Sequence, residues 1–124
     1  MVHPQLPEIR GVTHVQLFNP PVTDSAPTDV MVVLPTGNVD RSPCGTGTTA
    51  KVATLFGRGD LALNEAFVHR SPTGATFTGR AVATTTAGPL PACHVAITGS
   101  AFITADATVY VDRSDALADG FQLC

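Results

Sequence analysis

The residues best suited to chemistry lie together in the segment Asp40–Thr48, whose sequence is DRSPCGTGT. Apolar residues at helical spacing follow it at Val52, Leu55 and Phe56. We therefore predict a helix that begins at about Thr48 and is closed by Gly57 and Gly59. This prediction places Cys44 at the N-terminus of a helix.

A cysteine at this position has a definite electrostatic meaning. The first backbone N–H groups of a helix lack internal partners and carry partial positive charge, so they stabilise a thiolate and can hold a carboxylate or phosphate. Gly45 and Gly47 have no Cβ, and we expect them to let a ligand approach the backbone. Asp40 is placed to receive a cationic amine. The segment predicts an amino-acid site with a reactive thiol, Cys44.

Three other interpretations compete for this segment. The pattern Gly45–Ala50, with Glu65 beyond it, fits a dinucleotide-binding fingerprint, but that motif must turn directly out of a strand and residues 35–43 intervene. A P-loop is excluded because Ala50 replaces the last glycine and Val52 the Ser/Thr that follows the lysine. The third is an inert buried thiol beside a helix cap, which is the commoner situation for a free cysteine.

The elements that must position this segment are mostly strands. Runs rich in Val, Thr and aromatic residues predict strands at Val12–Phe18, Asp29–Leu34, Glu65–His69, Ala75–Ala83, Cys93–Gly99, Gly99–Ile103 and Ala107–Val111. The apolar run Asp29–Leu34 suits a strand buried on both faces. Residues 72–74 predict a turn, residues 88–91 a chain break, and Asp112–Asp115 a capped final turn that ends at Gly120. One helix among antiparallel strands is an α+β arrangement, with the sheet wrapped around the helix.

Composition limits the classes of function. The chain has 124 residues, enough for one domain, with 44% hydrophobic and 14% charged residues and a net charge of −3. The basic residues are scattered, so we expect no nucleic-acid binding, and the apolar runs are too short for a membrane span. No secretory signal is recognisable at the N-terminus. Three cysteines without close spacing argue against a disulfide framework and a zinc site, so we expect a cytoplasmic protein with reduced thiols.

The remaining polar residues have structural interpretations. His3 lies in a loose start, while His14 and His69 lie in strands, facing solvent or bonded within the sheet. We expect Thr48 to cap the helix, and Arg41 to pair with Asp40 or to hold the loop. The last aspartates are expected to be a solvated, capping end: Asp112, Asp115 and Asp119.

The segment Asp40–Thr48 resembles the signature of the proline racemase family, which includes hydroxyproline epimerases and a related dehydratase. The resemblance begins at about Gly11 and continues through further stretches. These are Ala50–Leu55, Phe67–Gly79 (where Arg70 replaces the usual glutamate), Ile97–Thr104 and Asp112–Leu123. The stretch between Arg80 and His94 is shorter than is usual in the family.

The resemblance implies a fold of two similar lobes, each with strands around a central helix, as in diaminopimelate epimerase. It also implies a substrate, proline or 4-hydroxyproline, held between two cysteines that exchange the α-proton without a cofactor. Cys44 matches the second of these cysteines. Gly45 and Thr46 match the amide donors to the substrate carboxylate, and Asp40 matches the acceptor of the ring nitrogen. The dehydratase branch usually has threonine at the position of Cys44, which favours racemase or epimerase chemistry.

The chain departs from the family in length. Members are more than twice as long, and their first motif, Cys-Gly-His, is absent: Cys93 is expected in the core and Cys124 to be exposed. Residues 1–124 therefore resemble a single partial domain, the C-terminal portion, which we expect to be inactive alone and to need a partner lobe or a homo-oligomer. The alternative is a non-catalytic remnant or subunit that binds small carboxylates or a partner lobe. A cysteine nucleophile in redox or acyl-transfer chemistry is a third, weaker possibility, because no resolving cysteine or histidine lies nearby in sequence.

Overall fold

The computed structural model describes residues 2–21 and 26–120, and within them it contains five strands and one helix. The elements in chain order are β1 (Val15–Asn19), β2 (Thr28–Val33), α1 (Gly45–Arg58), β3 (Phe67–Arg70), β4 (Thr76–Ala87) and β5 (Leu90–Thr98). The α+β class predicted from the sequence is confirmed. No helix in the described part of the chain is both long and apolar enough to cross a membrane.

The five strands form one sheet in sequential order, β1-β2-β3-β4-β5. The expectation of a purely antiparallel sheet is wrong, because β2 and β3 run parallel. The reason is the helix between them: a crossover returns the chain to the end of the sheet from which it left. The β2–β3 ladder is short, with Thr28 opposite His69 and Asp29 opposite Arg70. Burial on β2 alternates, so one face is fully buried and the other only partly, whereas the sequence predicted burial on both.

Helix α1 packs against the part of the sheet formed by β4 and β5. Val52 on the helix is buried together with Leu61 and Ala81, and these three residues form the helix cluster. The close approach depends on Gly79 of β4, since a Cβ there would lie 2.7 Å from Val52 Cγ2. A second, smaller cluster lies on β2 and contains Val30, Val32 and Cys44, with Leu34 packed against it.

The helix begins earlier than the sequence predicted. Its first residue is Gly45 rather than Thr48, and Cys44 is the N-cap, so the prediction that Thr48 caps the helix is wrong. The cysteine sulfur itself accepts a hydrogen bond from an amide of the first turn, a role that the usual capping residues did not suggest. The end of the helix agrees with prediction at Gly59, which adopts φ 80° and whose N–H donates to the carbonyls of Leu55 and Phe56, whereas Gly57 lies within the helix and does not close it.

Two strand predictions near the C-terminus fail. The stretches Gly99–Ile103 and Ala107–Val111 form no strand, and their side chains are exposed. Their composition favours strands, but a strand needs a neighbour, and none lies beside them in the described residues. The interruption predicted at residues 88–91 is also shorter than expected, because a turn at Gly88 joins β4 directly to β5.

The turns agree better with the sequence. Residues 72–74 turn between β3 and β4 as predicted. In the final segment, the Asp112 carboxylate accepts hydrogen bonds from the N–H and hydroxyl of Ser114, and these bonds lower the pKa of Asp112. Asp115 accepts from the N–H of Leu117, and Gly120 ends the turns with φ 78°. Cys124 lies outside the described residues.

Candidate active site

Cys44 caps α1 with an unusual backbone. Its φ of 64° and ψ of 117° are rare for a residue with a side chain and direct the sulfur back over the first turn. There the Gly47 N–H donates to Sγ at 3.4 Å, and the Thr46 hydroxyl lies 3.3 Å from Sγ. Cys44 is 5% exposed and is one of the buried residues of the β2 cluster, so the expectation of a buried thiol beside a helix cap agrees with its burial.

A series of local hydrogen bonds holds Cys44 in this backbone conformation. Asp40 is tied to β2 by its N–H, which donates to the Val32 carbonyl at 2.9 Å. The Asp40 carboxylate accepts the Ser42 N–H at 2.8 Å, and the Ser42 hydroxyl accepts the Cys44 N–H at 3.0 Å. The Cys44 carbonyl then accepts the Thr48 N–H at 2.9 Å, which opens the helix. Positive φ at a cysteine is unfavourable by itself, so these contacts hold it in place.

The first two amides of the helix have no partner among the described residues. In residues 2–21 and 26–120 the N–H groups of Gly45 and Thr46 have no hydrogen-bond acceptor, and both residues are exposed. Nothing lies within 4 Å of the position that a Cβ on Gly45 would occupy. Two adjacent donors at the positive end of a fourteen-residue helix are suited to hold a carboxylate beside the Cys44 sulfur.

Gly47 has a different role from the one expected. A Cβ there would lie 3.2 Å from Val32 Cγ2 and 3.3 Å from Gln16 Nε2. Gly47 therefore lets the helix start approach the sheet, and it does not open the backbone to a ligand. Of the two glycines singled out from the sequence, only Gly45 faces open space.

A buried hydrogen bond between the helix and β3 holds the start of the helix against the sheet. Thr48 and His69 are both fully buried, and the Thr48 hydroxyl lies 3.0 Å from His69 Nδ1. The same hydroxyl donates to the Pro43 carbonyl at 3.3 Å, so β3 is linked to the residue before Cys44. If the hydroxyl hydrogen goes to Pro43, Nδ1–H of His69 donates to Thr48 and Nε2 is the unprotonated nitrogen. Nε2 is buried without a partner among the described residues.

Burial lowers the pKa of His69 from 6.5 to about 4, and the positive charge of Lys51 adds to the effect. His69 is therefore neutral near pH 7. The sequence predicts a strand at His69 but does not reveal its contact with Thr48. The period-two alternation of β3 was the available signal, since it sets His69 on the same face as Phe67, whose ring lies 4.7 Å away edge-on.

The other polar residues are structural. Arg41 does not bond Asp40; its backbone carbonyl accepts the Thr73 hydroxyl at 2.8 Å, which holds the loop. Arg70 forms a bidentate salt bridge with Asp29, in which Nε donates to Oδ1 at 2.6 Å and Nη2 donates to Oδ2 at 3.1 Å. Cys93 is a free thiol that packs against the helix cluster but is only partly buried, so the expectation that it lies in the core is met in part. Within the described residues, no three His, Cys, Asp or Glu side chains are grouped so as to hold a metal ion.

A cavity of about 540 Å³ lies elsewhere, against β1, β2 and the Asp29–Arg70 pair. Neither Cys44 nor the free amides line it. Cys44 itself is buried, and the exposed residues beside it at the start of the helix are Gly45 and Thr46.

Known proteins resemble this chain over nearly all of it. The family model of proline racemase matches residues 1–122. The proline racemase of Acetoanaerobium sticklandii is 42% identical over 98% of this chain, and the 4-hydroxyproline 2-epimerase of Streptosporangium roseum is 43% identical over 98%. A solved hydroxyproline epimerase from Agrobacterium vitis, with bound trans-4-hydroxy-L-proline, superimposes with a TM-score of 0.78 at 36% identity over 99% of the chain.

The matched proteins are much longer than this chain. The chain spans 36% of each of these two curated relatives and 35% of the solved epimerase. The resemblance noted from Asp40–Thr48 is confirmed, as is the partial character of the chain. This chain belongs to the proline racemase family, of which it represents a portion.

Proposed function

We propose that this chain is one lobe of a proline racemase-like or 4-hydroxyproline epimerase-like isomerase, and that Cys44 is one of its two acid/base thiols. The lobe is of the kind found in diaminopimelate epimerase, with a sheet against a central helix. The observation that carries the proposal is the pair of free amides at Gly45 and Thr46 beside the capping sulfur of Cys44. Family membership, shown by the comparisons, gives that arrangement its chemical meaning.

The proposed substrate is held at both ends. Its carboxylate accepts hydrogen bonds from the N–H groups of Gly45 and Thr46, which also stabilise the charge that develops when the α-proton leaves. Its ring nitrogen is cationic and pairs with Asp40. One Asp40 oxygen is used by Ser42, and in the described residues the other has no partner. Asp40 therefore keeps an acceptor for the ammonium while it shapes the loop.

The reaction is a proton exchange at the α-carbon and needs no cofactor. A thiolate on one face takes the α-proton and becomes a thiol, the electron pair is delocalised into the carboxylate, and a thiol on the opposite face gives its proton to the carbon. Cys44 takes one of these roles, and the direction of reaction decides which. Inversion requires both thiols, and among the described residues Cys44 is the one thiol in the proposed site, so we expect no racemisation from this chain alone. Reduced thiols are needed throughout, which fits the cytoplasmic location expected from the cysteine pattern.

The proposal is tested by thiol labelling at pH 7, with iodoacetamide and peptide mass spectrometry. Cys44 is expected to react faster than Cys93, and L-proline or trans-4-hydroxy-L-proline is expected to slow only Cys44. Equal labelling rates, unaffected by either amino acid, would support the alternative of a non-catalytic module. Cys44→Ser is the control for peptide assignment.

Catalysis is tested by polarimetry of both amino acids, with the chain alone and together with a lobe that supplies the missing Cys-Gly-His motif. Optical rotation is expected to decay only in the mixture. A second assay follows the α-proton by NMR in D₂O: the chain alone is expected to exchange it slowly with retention of configuration. Failure of the mixture and of the exchange assay together would refute the assignment of Cys44 as an acid/base.

A further inference from the structure

The C-terminal part of the described chain exposes an unusual amount of apolar surface. We name residues 100–111 the tail segment. Its large side chains are almost wholly open to solvent, with exposed fractions of 89% for Phe102, 96% for Ile103, 82% for Val109, 89% for Tyr110 and 68% for Val111. Soluble monomers rarely expose so many neighbouring apolar groups, and such surfaces usually mark an interaction site.

The tail segment has the sequence of a strand and not of a loop. Its sequence is SAFITADATVYV, with aromatic and β-branched residues in two runs, no glycine, no proline and a single charged residue, Asp106. Among the described residues no backbone hydrogen bond joins it to another part of the chain. The segment is therefore strand-forming polypeptide without a neighbouring strand.

The lengths of the relatives indicate what covers it. The superposition on the Agrobacterium vitis epimerase includes 99% of this chain, and so includes tail-segment residues, but only 35% of that longer protein. Roughly two thirds of the family fold thus lies outside this chain. The tail segment has no neighbouring strand among the described residues, and the part of the family fold that the chain does not span is large enough to supply one.

We propose that the tail segment is the docking element of this chain, and that it adds as β-strand to a sheet edge in the portion of the family fold that the chain does not span. This mode of recognition uses main-chain hydrogen bonds for affinity and side-chain pockets for register. Ile103, Val109 and Val111 are separated by even numbers of residues, so in one continuous strand they share a face, and they then lie among the apolar residues that are buried at the joint. The proposal rests on the proposed function only in treating the chain as one lobe, and it is independent of the chemistry of Cys44.

The test is co-expression of the chain with the complementary portion of the 4-hydroxyproline 2-epimerase of Streptosporangium roseum, meaning the residues of that protein that this chain does not match. Copurification is expected, and hydrogen–deuterium exchange at residues 100–111 is expected to slow at least tenfold relative to the chain alone. A complex without this protection, or no complex, would overturn the proposal. Protection in the chain alone, together with a dimeric mass by light scattering, would overturn it in favour of a second copy.

Matched variants locate the contact. Phe102→Asp combined with Ile103→Asp is expected to abolish copurification, whereas Leu63→Asp, at an exposed apolar residue before β3, is expected to leave it unchanged. Loss with both variants, or with neither, contradicts the proposal. Polarimetry of the same complex separates the two hypotheses: a protected tail segment without racemisation refutes the proposed function alone, and racemisation with an unprotected tail segment refutes the docking element alone.

Discussion

The stability of this chain is expected to fall between pH 6.5 and pH 4 because of His69. In the folded protein its imidazole is buried beneath α1 and its pKa is lowered to about 4, while the unfolded chain binds a proton at the ordinary value of 6.5. The unfolded state therefore takes up this proton first as the pH falls. The contribution of neutral His69 to stability is complete above pH 6.5, declines through the interval, and stops changing below about pH 4.

The size of the effect follows from the shift. The pKa of His69 is 6.5 in the unfolded chain and about 4 in the folded protein. Because one pKa unit corresponds to 1.36 kcal/mol, the free energy of unfolding changes by up to about 3 kcal/mol over this interval. That is a large fraction of the roughly 5–15 kcal/mol that stabilises a typical domain. Lys51 contributes through its charge, so Lys51→Gln is expected to reduce the dependence slightly.

The measurement is urea denaturation followed by circular dichroism at several pH values between 7.5 and 4. The comparison is His69→Asn, which has no titrating ring and keeps a polar group near Thr48. Asp29 and Asp112, whose pKa values are lowered by Arg70 and by Ser114, titrate in both proteins and cancel in the difference. A wild-type protein that loses no more stability than the variant over this interval would show that the imidazole is not buried and neutral as described.

Two further predictions concern glycines with opposite surroundings. Gly45→Pro removes one of the two free amides at a position where helices tolerate proline. It is expected to weaken the protection of Cys44 by trans-4-hydroxy-L-proline by roughly 10- to 100-fold, because one hydrogen bond to a charged group is lost. Gly45→Ala is the control, since it keeps the amide and is expected to keep the protection. Equal protection in the two variants would show that this amide does not contact the ligand. Gly79→Ala forces a methyl group against Val52 and is expected to destabilise the fold by about 1–3 kcal/mol in urea denaturation, while Gly57→Ala, with open space around it, is expected to stabilise the helix by about 0.5–1 kcal/mol. Destabilisation of similar size by both would contradict the helix–sheet contact.

Much of the site was predictable because it is local. Cys44, Gly45 and Thr46 follow one another, and the apolar spacing that begins at Val52 was enough to place them at a helix end. The closing Gly59 and the turns after Asp112 were equally readable, since each depends on side chains within a few residues.

The errors came from contacts between distant parts of the chain. The spacing did not show that the helix starts at Gly45, because its cap is a sulfur and its start is fixed by Thr48 against His69. Nor could it show that Gly47 is needed for packing on Val32, since that contact depends on how the helix crosses the sheet. The tail segment was assigned to strands from propensity alone, and propensity does not supply a neighbouring strand.

The short ladder between β2 and β3 has a consequence for motion. The β2 cluster, with Cys44, and the helix cluster, with Val52, lie on either side of this ladder, which pairs the strands at Thr28 and Asp29. A boundary with few backbone bonds is where native proteins open most readily. The start of the helix spans this boundary, since Gly47 packs on Val32 of β2 while Thr48 is hydrogen-bonded to His69 of β3, so the segment that carries Cys44 couples the two halves of the sheet and resists their separation.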